Sequence, residues 1–261
     1  MKTTKGIILA GGSGSRLKPL TSIVSKQLLP VYDKPMIHYP ISLLLQCDIR
    51  EILIIVSSDS QIPLFLKAID FMNVDAKFEF IVQDEPQGLA HAFILGENFI
   101  GEDNVCLVLG DNIFYGSGIN TIINATSNFY NAIFGIPVKN PESYGVMRFS
   151  EEVYNHLGYE KLIEVVEKPK TFISNYAVPG IYFFDNTVSS RAKQVTPSAR
   201  GELEIVDVIN SYINEDKMFH DYLPNDTVWF DCGTHERLLE ASNFVHAIQN
   251  RTTQIVGDIR I

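Results

Sequence analysis

The sequence predicts an α/β fold: a Rossmann-like, mostly parallel sheet flanked by helices, with a mixed-strand part packed on it. Three observations carry that expectation. Short β-branched runs alternate with amphipathic segments from about residue 5 to 115, and a glycine-rich turn closes the first run. Beyond that point strand-like runs follow one another with only polar turns between them.

The runs at 5–10, 51–56, 77–82 and 104–109 are apolar and too short for helices, which suits parallel strands buried on both faces. Between them, 36–47, 61–72 and 88–99 have helical spacing, so right-handed β-α-β crossovers are expected. Later, 132–138, 144–149, 161–166 and 180–184 read as strands, and 202–213 and 236–248 as helices. The stretch 150–160, carrying Glu151, Glu152, Asn155, His156 and Gly158, reads as an exposed hairpin loop. There is no internal repeat, low-complexity tract or linker. The expectation is one domain over 1–261, in parts of about 1–115 and 116–240, with 241–261 as a C-terminal extension.

The chain has 261 residues, 46% of them hydrophobic and 20% charged, enough to bury a substantial core. No apolar stretch approaches the roughly 20 residues that span a bilayer, and no signal-peptide pattern precedes the first strand. A cytoplasmic location without a membrane partner is expected. A formal net charge of −10 and the lack of any Lys/Arg run argue against nucleic acid, but not against a small anion held locally. Cys47, Cys106 and Cys232 fit neither a disulfide framework nor metal-ligand spacing, and read as reduced thiols.

In an open α/β sheet, ligands sit beyond the carboxyl ends of the strands, and four polar clusters fall there. The first is Leu9-Ala-Gly11-Gly12-Ser13-Gly14-Ser15-Arg16, followed by Lys26. Free backbone N–H groups in such a turn cradle an anion, and two cations beyond it can neutralise polyphosphate. The third glycine of a dinucleotide fingerprint is missing, as is the Gly-Lys-Ser/Thr of a Walker loop. The second cluster, Gly110-Asp111-Asn112, places a carboxylate at a buried strand's exit, where it can hold a hard cation or cap a turn. The third, Trp229-Phe-Asp231-Cys-Gly-Thr234, repeats that pattern, and two carboxylates with substrate phosphate oxygens make a usual Mg²⁺ site. The fourth, Glu164-Val-Val-Glu167-Lys168-Pro169, ends a strand with a cation that can pair with phosphate or lie solvated. Gln83 and Gly88 flank a polar loop, where the Gln83 amide suits either a pyrimidine edge or a backbone contact. The six histidines show no metal-ligand spacing and lie beside no nucleophile motif.

Taken together these segments resemble one family. Gly11-Gly-Ser-Gly-Ser-Arg16-Leu-x-Pro-Leu-Thr21 and Ser25-Lys26-Gln-Leu-Leu-Pro-Val-Tyr-Asp-Lys-Pro-Met36 are similar to glucose-1-phosphate thymidylyltransferases. So are Gly88-Leu-Ala, Gly110-Asp-Asn, Tyr144-Gly-Val, Glu167-Lys-Pro, Ser174-Asn-Tyr-Ala-Val178, Arg200-Gly-Glu-Leu-Glu-Ile205 and Trp229-x-Asp-x-Gly-Thr234, in family order. The resemblance implies a Mg²⁺-dependent transfer of a nucleotidyl group from dTTP to glucose 1-phosphate. It further implies that Leu9, Gly11, Gly12, Ser13, Gly14 and Ser15 bind the nucleoside triphosphate, with Arg16 and Lys26 on its phosphates. Gln83 and Gly88 would read the base, and Asp111 and Asp231 would hold Mg²⁺. Leu89, Gly145, Glu167, Lys168, Val178 and Tyr182 would surround the sugar phosphate.

Several positions depart from the family pattern: Ser15 for Thr, Gln87 for Asp, Pro179 for Thr, and a long 150–160 loop. They bear on which sugar is used more than on the reaction. The chain stops soon after Asn250-Arg-Thr-Thr-Gln-Ile-Val256, where longer members continue into helices that form an inhibitor site and a subunit contact. Lost or altered feedback inhibition is therefore expected, together with a homo-oligomer. The alternatives are a UTP-using or modified-hexose enzyme and, from another class, a non-catalytic sugar-nucleotide sensor. Arg16, Lys26, Asp111 and Asp231 are all present, which favours the enzyme.

Overall fold

The computed structural model describes residues 2–12, 14–153 and 160–258. The first part runs β1 (Lys5–Leu9), β2 (Pro30–Val31), β3 (Lys34–Pro35), α1 (His38–Gln46), β4 (Glu51–Val56), α2 (Ile62–Asp70) and β5 (Lys77–Val82). It continues through α3 (His91–Leu95), α4 (Glu97–Ile100), β6 (Val105–Leu109) and β7 (Asn112–Tyr115). The second part holds α5 (Gly118–Asn128), β8 (Ala132–Pro137), β9 (Gly145–Val153), β10 (Glu160–Glu167), β11 (Tyr176–Ala177) and β12 (Ile181–Phe184). After these come α6 (Val188–Ala192), α7 (Ile205–Ile213), β13 (Phe219–Tyr222), β14 (Val228–Asp231) and α8 (His235–Arg251).

The four early apolar runs form the expected parallel block, in the order β6-β1-β4-β5. Successive residues on β1 go to opposite faces. Ile7 packs with Leu53, Ile55 and Leu107, whereas Ile8 packs with Ile52, Ile54 and Val108. Both faces are covered, which is why these strands read as continuous apolar runs rather than alternating ones. Among the described residues, no helix is long and apolar enough to cross a membrane, and Cys47, Cys106 and Cys232 are free and buried.

The mixed part joins edge to edge rather than as a layer. β12 pairs antiparallel with β6, and β8, β11, β9 and β10 extend the same sheet, with β13 parallel to β8. A third apolar cluster, including Val31, Tyr39, Ile113, Phe230, Ala241 and Val245, seats α8 against the separate β7–β14 pair.

Three predicted boundaries shift. The helix expected over 88–99 starts at His91, because Gly88 takes a φ of 94° that no helix contains, and it breaks at Gly96, whose ψ of 6° leaves the helical range. The helix expected from 202 begins at Ile205, since the preceding residues form a turn closed by Gly201 N–H to Ser198 O at 2.8 Å. The stretch read as an exposed loop is partly strand, with β9 running to Val153 and β10 starting at Glu160. Asn155, His156 and Gly158 lie outside the described residues.

Candidate active site

The β6–β12 pairing decides where the site forms. Leu109 N–H donates to Gly180 O at 2.9 Å, so the exit of β6 opens directly onto the mixed part. After Gly110 and Asp111 the chain starts β7, whose partner β14 sets Asp231 opposite Asn112. Cys232 N–H closes the ladder onto Asp111 O at 3.0 Å. Two carboxylates 120 positions apart therefore arrive at one end of one strand pair.

Each carboxylate is held. Asp111, only 8% exposed, accepts from Lys26 Nζ on one oxygen and from Asn112 Nδ2 at 3.0 Å on the other. The Asn112 carbonyl oxygen in turn accepts from Trp229 Nε1 at 2.6 Å and from Gly180 N–H at 3.1 Å. Asp231 accepts from Arg237 Nη1 at 2.6 Å. Its other oxygen crowds Gly233, where a Cβ would stand 2.9 Å from Asp231 Oδ1 and 2.8 Å from Arg16 Nη2. Only a residue without a side chain lets the Arg16 guanidinium and the Asp231 carboxylate approach that backbone.

The two acids differ electrostatically. Burial pushes the Asp111 carboxyl up, but the Lys26 charge and hydrogen bonds from Lys26 and Asn112 outweigh it and hold the group below its ordinary value. Asp231 is raised by burial and by the Asp111 charge, against the pull of Arg237, Lys26 and Arg16. Among the described residues, no group of three or more His, Cys, Asp or Glu is placed to hold a metal alone. Two oxygen-only ligands that repel each other do fit a hard divalent cation whose remaining positions come from phosphate and water.

A cavity of about 280 Å³ opens beside this pair. Arg16, Asp111 and Asp231 line it. All six residues expected around a sugar phosphate (Leu89, Gly145, Glu167, Lys168, Val178 and Tyr182) line it as well. A larger cavity of about 840 Å³, between the start of α5 and residues 253–258, contains none of the predicted site residues. The smaller one has the convergent charges and is the better candidate.

The residues expected on the nucleotide side lie next to it. Leu9 ends β1 and accepts from Gly110 N–H at 3.0 Å. Gly11 and Gly12 follow, and Gly14 is pinned by Thr21 Oγ1, which donates to its carbonyl at 2.7 Å. Ser15 and Arg16 begin a short 3₁₀ turn, and Ser13 lies outside the described residues. The Gln83 amide oxygen faces Gly11, while its Nε2 contacts His91 Nδ1 at 2.8 Å. Gly88 serves the backbone: a Cβ there would sit 2.4 Å from Leu203 O, which accepts from Ala90 N–H at 3.1 Å.

Residue reasoning missed several groups that this arrangement uses. Asn112 and Trp229 lay within quoted motifs without a role, and their side-chain bond crosses 117 positions. Arg200, also on the cavity wall, bonds Glu167 at 3.1 Å and Glu204 at 2.9 Å. It opens the family-like segment Arg200-Gly-Glu-Leu-Glu-Ile205, a polar turn rich in glutamate that marks no role for the Arg. Arg237 sits in the first turn of α8, where a cation reads as a solvated surface group.

Comparison with known proteins identifies the family. The family model described as nucleotidyl transferase matches residues 5–248. The glucose-1-phosphate thymidylyltransferase of Neisseria meningitidis is 48% identical over 94% of this chain and 84% of its own length. That of Mycolicibacterium smegmatis is 46% identical over 97% of this chain and 86% of its own. A solved Bacillus anthracis structure, provisionally assigned to the same enzyme and in complex with a sucrose, superposes with a TM-score of 0.80 at 37% identity. It covers 94% of this chain and 96% of that one. A UDP-glucose pyrophosphorylase complexed with UDP-glucose shares the fold, with a TM-score of 0.81 at 23% identity over 94% of this chain and 99% of that one.

Proposed function

The chain belongs to the glucose-1-phosphate thymidylyltransferases of the nucleotidyl transferase family, and on that premise we propose that it makes dTDP-glucose and pyrophosphate from dTTP and glucose 1-phosphate. The observation that carries this reading is the cavity of about 280 Å³, which the expected sugar-phosphate residues line together with Arg16, Asp111 and Asp231.

The chemistry needs no general base. A phosphate oxygen of the sugar phosphate is already an anionic nucleophile. It attacks the α-phosphorus in line, one new P–O bond forms, and the bond to the departing pyrophosphate breaks with its electrons. The barrier comes from bringing two anions together and from charge growing on the leaving group. Arg16 and Lys26 offset both, and the glycine loop's N–H groups hold the triphosphate in register. Lys168 and Arg200 neutralise the sugar phosphate, while Glu167 accepts from sugar hydroxyls. Gln83 meets the base edge beside Gly11.

Asp111 and Asp231 would hold Mg²⁺, which when bound supplies positive charge to the phosphate oxygens. Lys26 would release Asp111 to reach phosphate as ligands arrive. The reading treats the chain as one catalytic unit acting in the cytoplasm. It also includes a homo-oligomer, and sedimentation giving only monomer would remove that part.

The test is pyrophosphate release over a grid of dTTP, UTP, dCTP and ATP against several hexose 1-phosphates with Mg²⁺. The expected result is fastest turnover with dTTP and glucose 1-phosphate. Thymine and uracil differ by one methyl, worth about 1–3 kcal/mol in an apolar pocket, so residual UTP use fits the reading. No turnover with any pair would replace it with a sugar-nucleotide sensor.

A further inference from the structure

One carboxylate oxygen of Asp231 already has a cationic partner. Arg237 Nη1 donates to its Oδ2 at 2.6 Å from the first turn of α8. The two side chains are 31% and 20% exposed, so the pair is partly shielded from solvent. Arg237 is itself located. Its N–H closes the helix cap onto Thr234 Oγ1 at 3.4 Å, and its guanidinium lies 5.5 Å from the centre of the Tyr144 ring on the cavity wall. The opposite carboxylate oxygen faces Gly233 and Arg16. Asp111 already has Lys26, a cation that the transfer reaction puts to use on phosphate. Arg237 lines no part of the cavity, and nothing in the transfer chemistry requires it to touch substrate.

We propose that Arg237 is a positioning residue that occupies Oδ2 of Asp231 and competes with a divalent cation for it. In the ligand-free protein the guanidinium neutralises Asp231 and fixes its rotamer. A cation entering between Asp111 and Asp231 must displace that contact, and the Tyr144 face gives the released guanidinium a place to rest. Cation binding alone is thereby weakened. It becomes favourable when triphosphate oxygens add the missing ligands, so metal and nucleotide load together. The inference rests on the reading of Asp111 and Asp231 as the metal carboxylates.

The test is binding of Mn²⁺ to the substrate-free protein, followed by electron paramagnetic resonance of free Mn²⁺ and without any turnover. Removing a competing partner from a partly shielded ion pair should tighten binding in Arg237→Ala by about 5- to 10-fold. Arg237→Lys, which keeps a cation in place, should restore near wild-type affinity. A purely structural role would not be rescued in that pattern. Unchanged or weaker Mn²⁺ binding in a folded Arg237→Ala protein overturns the proposal. Asp231→Asn and Asp111→Asn separate it from the reading beneath: both should lose Mn²⁺ binding. If they retain it, the metal carboxylates themselves are misassigned.

Discussion

The Lys26 ammonium lies on the Asp111 carboxylate, joining groups 85 positions apart whose side chains are 17% and 11% exposed. Replacing Lys26 by Met leaves a buried carboxylate unpaired, which costs about 3–5 kcal/mol where one partner of a buried pair is removed. Turnover should also fall at least about 100-fold from the lost phosphate cation. Denaturant unfolding and pyrophosphate release would register the two effects separately.

The same pair has a defined pH dependence. Because the folded Asp111 carboxyl is held below its ordinary value, its contribution is present above the unfolded pKa of about 4 and is lost as pH falls through the lower folded value. Wild type and Lys26→Met should therefore converge in stability on acidification, with their largest gap near neutrality. A gap that persists to strongly acid pH would show the ion pair is not its source.

Asp231 has the opposite sign. Burial and the Asp111 charge raise it, so its ionised form destabilises the fold above its folded pKa, and this cost fades as pH falls from that value to the lower unfolded one. Asp231→Asn should raise the Tm at pH 7 or leave it unchanged while abolishing turnover, with the advantage shrinking in acid. A clear fall in Tm at neutral pH would mean the Arg237 pair outweighs the repulsion.

Gly233→Ala tests close approach at the centre of the site. The new methyl would stand 2.8 Å from Arg16 Nη2 and 2.9 Å from Asp231 Oδ1, forcing both to shift. Misplacement of about 1 Å costs on the order of 100-fold in rate, so turnover should fall by about 10- to 100-fold with little change in Tm. Normal turnover would show that the two groups can move without consequence.

Gly88→Ala should act on stability instead. Its φ of 94° disfavours a side chain, and the methyl would lie 2.4 Å from the backbone oxygen of Leu203. Backbone strain and the clash together should cost about 2–4 kcal/mol, read as a lowered denaturation midpoint.

Trp229→Phe keeps the ring against Tyr144 but deletes the N–H that reaches Asn112 Oδ1. A lost buried hydrogen bond costs about 1–2 kcal/mol. Loosening Asn112 should also lower turnover more than it changes triphosphate affinity. An unchanged kcat would remove Asn112 from the support of Asp111.

The parallel block was legible because strands buried on both faces must be apolar throughout, as the runs containing Ile7, Ile54 and Val108 are. Asp111 and Asp231 were legible for a related reason: a carboxylate immediately after such a run stands at a strand end, where ligands bind. The helix boundaries near Gly88 and Ile205 were not, since a long-range contact with Leu203 sets one and a local turn sets the other.

By itself, then, the sequence determined the parallel sheet, the family and the chemical types of the groups at the strand exits, all of which depend on local pattern and short motifs. Only the tertiary structure decided how those groups pair. The β12–β6 join brought Gly180 to Asn112, the β14–β7 ladder set Asp231 beside Asp111, and Lys26 reached Asp111 from the loop after β1. Charge pairing depends on distance in space, and residues 85 to 120 positions apart share no local signal that fixes that distance.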